Sequence, residues 1–266
     1  MNKWYEDYFK VINPANGIPD NNGEPRKCAP CMYIERSTEE YFDMVDNPGE
    51  DFDWQGFWAR AKKDYPLHSV YGGSSYDSEE KIAKSEYRLV AEHMPAYFNL
   101  IGKRVLEIGY GFGGAAEFFK DHGAEYHGID YVRSKEGMTD EDGFHVIEKS
   151  GIPDWLMVDK FDLVYSYNVF QHLTQAQRVE YFKQIYEILK PGGHFVVSVF
   201  SKTDKFVEDP KHVYATRFFG VATAVDETDF LDNFIKEVGF KLKTQDFYPT
   251  GDPRTAVRLM KLVKPK

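Results

Sequence analysis

The stretch Glu107-Ile-Gly109-Tyr-Gly111-Phe-Gly113-Gly114 decides how this chain is read. It closes the apolar run Arg104–Ile108, which has strand length, and opens Gly113–Lys120, a helical segment with Phe118 and Phe119 turned inward. Glycines at such a junction let a strand turn tightly into a helix and let a ligand approach the backbone. Asp130 ends the next strand, Glu125–Ile129, about twenty residues on, where a carboxylate can accept from both ribose hydroxyls. Gly109-x-Gly111-x-x-Gly114 with Asp130 also satisfies the dinucleotide fingerprint, so an NAD(P)-binding oxidoreductase fits this stretch taken alone. Glu107 argues the other way. It lies two residues before the first glycine, where it repels a pyrophosphate and suits a ligand carrying an ammonium or sulfonium group.

Outward from this turn the chain alternates strand and helix. Phe144–Ile147 and Phe161–Tyr165 read as strands, and Thr174 with Gln177 reads as a capping box before a long helix bearing Val179, Phe182, Tyr186 and Leu189 on one face. Lys190-Pro-Gly-Gly193 breaks that helix and launches the strand Phe195–Phe200. Asp226–Val238 is helical, Gly239 stops it, and Phe240–Phe247 and Ala256–Val263 form an antiparallel hairpin at the sheet edge. Such alternation predicts an α/β, doubly wound, mostly parallel sheet. Upstream, Asp77 with Glu80 reads as a capping box, and Ala83, Tyr87, Val90, Met94 and Tyr97 form one stripe of an amphipathic helix that Gly102 terminates. Before it, residues 1–75 carry recurrent turn signals between short aromatic clusters.

Charge divides the chain at about the same point. The 266 residues carry a net charge of −10, and residues 1–100 hold 11 basic against 18 acidic side chains, a net −7. An acidic balance disfavours nucleic acid and anionic membrane, which need clustered Lys and Arg. The N-terminus lacks the apolar segment of a signal peptide, no run reaches membrane-spanning length, and two cysteines suit a reducing compartment, so a cytoplasmic location is expected. Cys28-Ala-Pro-Cys31 lacks a second pair or a nearby His, so free thiols and no metal are expected there.

VLEIGYGFGG, Gly-Ile-Asp130, FDLVYSYNVFQHL and LKPGG, in this order and spacing, resemble the motifs of the class I S-adenosylmethionine-dependent methyltransferase family. The resemblance runs from about Gly102 to the C-terminus. It implies a seven-stranded sheet of order 3-2-1-4-5-7-6 with the last strand antiparallel. The organisation expected is an N-terminal acidic, aromatic cap with its lead-in helix over 1–100, then a Rossmann-like methyltransferase domain over 101–266 with an insertion near 201–225 on the acceptor side.

The same resemblance implies S-adenosyl-L-methionine as cofactor and S-adenosyl-L-homocysteine as product. It places Glu107, Gly109 and Gly111 around the methionine and ribose, Asp130 on the ribose hydroxyls, Tyr131 against the adenine and Glu148 near the adenine amino group. Ser166 and Tyr167 would line the methionine end through their backbone. Between Asp130 and Phe161 the chain departs from the family pattern, because Gly137, Gly143, Gly151 and Pro153 predict a truncated helix. Tyr76 is a candidate cover for the sulfonium by a cation–π contact, or an ordinary surface tyrosine.

Methyl transfer is an in-line displacement, in which the protein aligns the acceptor and excludes water. A hydroxyl acceptor also needs a base, and His172, just past the fourth strand, is the candidate; packing or capping is its alternative role. Asn168 orients the acceptor or caps the following turn. Tyr214 and Arg217, within Lys211–Gly220, are candidates for the acceptor wall. Arg88 pairs with Glu92 or with the cofactor carboxylate. The function expected is O-methylation of a small polar acceptor such as a sugar, sugar nucleotide or secondary metabolite. N-methylation of a small amine, an NAD(P)-dependent oxidoreductase and a catalytically silent binding protein stay open, and so does the oligomeric state, with a homodimer as one candidate.

Overall fold

The computed structural model describes residues 78–94, 98–158, 160–173, 175–202, 225–226, 228–249 and 255–266, with Gln55 and Ala59 as isolated helical positions. The first helix, α1 (Glu79–His93), starts at Ser78, whose hydroxyl accepts from the Lys81 amide at 3.3 Å. The N-cap is thus Ser78; Asp77 lies outside the described residues. Val90 and Ala83 of the expected stripe are buried and Tyr87 and Met94 half-buried, while Tyr97 is outside the described residues.

Strand β1 (Arg104–Ile108) runs into the glycine turn and α2 (Gly114–Asp121). Strands β2 (Glu125–Asp130) and β3 (Phe144–Val146) follow, joined by turns without a helix. A single helical turn, α3 (Asp154–Met157), leads to β4 (Phe161–Ser166). The expected shortening between Asp130 and Phe161 is therefore observed. A 3-10 turn over Phe170–His172 precedes α4 (Gln175–Ile188), with Thr174 outside the described residues. Then come β5 (Leu189–Lys202), the two-residue β6 (Val225–Asp226), α5 (Thr228–Val238) and the hairpin β7 (Lys241–Pro249) and β8 (Thr255–Val263).

The strands lie in the order β3-β2-β1-β4-β5-β8-β7, with β6 beside the end of β5. With β6 set aside, this is the 3-2-1-4-5-7-6 sheet. β1 to β5 pair in parallel, and β8 is antiparallel to both β5 and β7. Alternate residues of each strand feed opposite layers, as the two-residue pleat requires. Leu106, Ile108, Val164 and Phe195 pack with Phe182 and Phe240 on one face. Val105, Leu163, Tyr165 and Val196 pack with Val90 and Phe119 on the other.

One boundary differs from expectation. Lys190–Gly193 does not separate helix from strand, because β5 already begins at Leu189. The four residues bulge between the pairs Phe161–Leu189 and Leu163–His194. The Gly192 amide donates to the Lys264 carbonyl at 2.8 Å and the Lys264 amide to Gly193 at 3.0 Å, so the ladder continues through the bulge.

Candidate active site

The parallel strands end together, and the glycine turn crosses those ends. The Gly109 amide donates to the Ile129 carbonyl at 2.7 Å, tying the turn to β2. One oxygen of Asp130 accepts from the Gly111 amide at 3.1 Å and the other from the Tyr131 amide at 2.7 Å. The carboxylate is thereby fixed at the rim of the turn, still partly exposed.

Glu107 sits beneath the turn, 4% exposed, and its Oε2 accepts from the Tyr126 hydroxyl at 2.7 Å. A side chain at Gly128 would collide with that hydroxyl, so the glycine makes room for the pair. Burial pushes the Glu107 carboxyl well above the usual range, the Tyr126 bond opposes this, and the charges of Glu86 and Asp130 add to it. A cation placed here relieves that penalty; an anion adds to it.

Glu86, on α1, belongs to no motif. From α1 its Oε2 accepts from the Gly114 amide at 2.9 Å and its Oε1 from the Phe112 amide at 3.3 Å. These are the N–H groups with which a glycine turn at a helix start ordinarily holds phosphate. Here a carboxylate of the chain itself occupies them. The glycines serve this packing: a side chain on Gly114 would strike the Ala83 carbonyl, and one on Gly111 would lie 2.8 Å from Glu86 Oε1.

The turn after β4 closes the other side. Ser166 is buried and its hydroxyl donates to the Ile108 carbonyl at 2.9 Å. Asn168 has φ of 59°, alone among the described non-glycine residues in being positive, and its amide donates to the Ser198 hydroxyl at 2.8 Å. Asn tolerates this left-handed conformation better than most residues. Val169 then lies against Gly109, where a Cβ would collide with it. The backbone of His172 is in the 3-10 turn that follows. Glu107, Gly109, Gly111, Asp130, Ser166 and Asn168 are therefore gathered at one end of the sheet.

The other expected residues fall differently. The Tyr131 ring is buried in the core with Ile152 and Tyr181, so its side chain presents little surface to a ligand. Glu148 lies just past β3 and is exposed. Arg88 pairs with Glu92 at 3.5 Å on the outer face of α1. Tyr76, Tyr214, Arg217 and the Cys28–Cys31 pair lie outside the described residues. Among the described residues there is no group of three or more metal-ligating side chains, and no helix is long and apolar enough to cross a membrane.

A second buried group adjoins this end of the sheet. His93, in the last turn of α1 and 2% exposed, places Nδ1 3.1 Å from the Tyr165 hydroxyl. Its ring lies 4.6 Å from that of Tyr167 and 6.1 Å from that of Tyr248. Burial, with the Lys261 charge adding to it and Asp246 opposing, lowers the His93 pKa to about 4. Burial raises the Tyr167 hydroxyl to about 12. Only contacts across the fold reveal these roles; an isolated His and isolated tyrosines carry no such signal.

A methyltransferase-domain family model matches residues 57–245. The chain is 32% identical over 120 residues to phosphoethanolamine N-methyltransferase 2 of Caenorhabditis elegans, covering 40% of this chain and 26% of that protein. It is 30% identical over 221 residues to a sterol 24-C-methyltransferase of Saccharomyces cerevisiae, covering 76% of this chain and 51% of that protein. The chain thus spans about half or less of the length of these relatives. Among solved structures, magnesium protoporphyrin IX methyltransferase of Synechocystis, crystallised with its methyl donor, superposes with a TM-score of 0.50 at 14% identity, covering 88% of this chain and 99% of that one. That likeness concerns the fold. With the strand order, the hairpin and the family model in agreement, this chain belongs to the methyltransferase-domain family, in its class I, S-adenosylmethionine-dependent branch.

Proposed function

We propose that this chain transfers a methyl group from S-adenosyl-L-methionine to an oxygen of a small polar acceptor, with sugars, sugar nucleotides and secondary metabolites as the acceptor class. The observation that carries the cofactor assignment is the set of carboxylates Glu86, Glu107 and Asp130 around the glycine turn. Their combined charge favours a ligand bearing ammonium and sulfonium groups and opposes a pyrophosphate. Asp130 would accept from the ribose hydroxyls, and the backbone at Ser166 and Tyr167 would face the methionine end. Glu148 and Tyr76 remain candidates for the adenine and sulfonium sides.

When bound, the cofactor supplies an electrophilic methyl carbon on sulfur. The chain's part is alignment, exclusion of water and removal of one proton. A hydroxyl acceptor would be held in line with the methyl group, and its proton would pass to a base on the chain as the oxygen took that group. His172 is proposed as that base, Asn168 as an orienting group, and Tyr214 and Arg217 as acceptor contacts. The layer over 1–100 is proposed to select the acceptor. A nitrogen acceptor is the second reading, favoured by the likeness to a phosphoethanolamine N-methyltransferase.

Calorimetry with S-adenosylhomocysteine and with NAD tests the cofactor, and binding of NAD alone overturns the reading. Incubation with isotope-labelled S-adenosylmethionine and a panel of hydroxyl and amine acceptors, read by mass spectrometry, tests the acceptor class. Label appearing only in amines moves the assignment from oxygen to nitrogen. Unchanged turnover in His172→Gln removes His172 as base.

A further inference from the structure

We infer that Glu86 is a positioning and specificity-determining residue: from α1 it holds the glycine turn in its cofactor-binding shape and fills the anion site that the turn would otherwise offer to phosphate. The inference deepens the proposed use of this turn for S-adenosylmethionine and rests on that reading for its cofactor half. Its geometry is specific. Two amides on either side of Gly113, those of Phe112 and Gly114, point at the two oxygens of one carboxylate. Gly114 opens α2, so its N–H is among those that α2 leaves without a partner inside the helix. Glu86 is the residue that α1 brings to the turn, and α1 reaches it so closely that no side chain fits at Gly114.

Three consequences follow from a tethered carboxylate at that point. It supplies the negative charge that the helix start favours, so a phosphate gains nothing by arriving there. It pins the Phe112 and Gly114 amides on either side of Gly113, and the positive φ angles of Gly111 and Gly113 leave the turn several alternative conformations when unpinned. It also adds to the field that opposes ionisation of Glu107, so the cation that a ligand brings is worth more at this site. Glu86 thus acts through the turn and contacts no reacting atom.

The test uses the full chain with Glu86→Gln, which keeps the side-chain length, and Glu86→Ala. Affinities for S-adenosylhomocysteine, ADP and inorganic pyrophosphate are measured by calorimetry, with thermal melting recorded alongside and amide chemical shifts of Phe112 and Gly114 followed by NMR. The expected result is an affinity for S-adenosylhomocysteine about ten-fold weaker in each variant. Pyrophosphate or ADP should bind to Glu86→Ala and not to the wild type, and both amide shifts should move in Glu86→Gln. A lowered melting temperature with unchanged affinities overturns the inference, because it reduces Glu86 to a packing residue. Weaker S-adenosylhomocysteine binding without any gain of anion binding overturns the specificity claim. Failure of the wild type to bind S-adenosylhomocysteine defeats the proposed function instead, and the pyrophosphate and NMR measurements still decide whether Glu86 guards the turn.

Discussion

Replacing His93 by Gln should remove a defined part of the acid sensitivity of this fold. The His93 ring is closed in by Tyr165, Tyr167 and Tyr248, with Lys261 nearer in effect than Asp246. Its pKa falls from 6.5 to about 4 in the folded state. A depressed folded pKa means that the unfolded chain holds the extra proton between those values, so stability is present above pH 6.5 and is lost as pH falls towards 4. Linkage across this shift gives a loss of about 2 kcal/mol between pH 7 and pH 5, and about 3 kcal/mol by pH 4. Burial makes His145 and His194 lose protons more readily as well, and the lowered carboxyls of Glu125 and Asp162 contribute at the acid end, so the wild-type profile alone does not isolate His93. The difference between two proteins does. Gln keeps an acceptor for the Tyr165 hydroxyl and has no proton to gain. Urea unfolding at pH 5, 6, 7 and 8 should show the wild type losing about 2 kcal/mol more than His93→Gln between pH 7 and pH 5. Parallel profiles for the two proteins would falsify the assignment of a buried, neutral His93.

Three further outcomes are expected. Gly109→Ala should destabilise by about 3 kcal/mol, from a positive φ and a collision with Val169, and Val169→Ala in the same chain should return the collision's share of about 1–2 kcal/mol, read by urea unfolding. Asp232→Ala should cost about 2 kcal/mol in the same assay, since Asp232 meets the guanidinium of the fully buried Arg258 at 2.5 Å, with Gln245 as a further acceptor. Glu107→Gln should raise the melting temperature of the ligand-free protein at pH 8, where the raised carboxyl pKa makes ionisation costly. It should also weaken S-adenosylmethionine binding about ten-fold or more by calorimetry.

The strand order and the terminal hairpin were readable because apolar runs, glycine punctuation and motif spacing are local signals that the sheet preserves. The shortened segment between Asp130 and Phe161 was readable from Gly137, Gly143, Gly151 and Pro153 for the same reason. Errors arose where a local rule met a distant partner. Lys190–Gly193 carries every sign of a break, yet Lys264 supplies the hydrogen bonds that keep it in the ladder. Glycines attributed to close approach of a ligand turn out to admit α1 at Gly114, Glu86 at Gly111 and Val169 at Gly109. Tyr131, expected against the adenine, has its ring in the core with Ile152 and Tyr181. Glu86, His93, Tyr126 and Tyr165 could not be found from spacing, because each matters only through a residue far away in the chain.

Two serine hydroxyls hold the frame of the site. Ser166 ties the end of β4 to Ile108 of β1, and Ser198 ties β5 to the backbone of Asn168. The strand ends are thereby sewn together on both sides of β4, up to the residue where the chain leaves the sheet. The connection that leaves the sheet at Val169 starts from a fixed point. A graft that starts after Val169, and so keeps Val169 against Gly109, should therefore leave the glycine turn and its carboxylates unchanged.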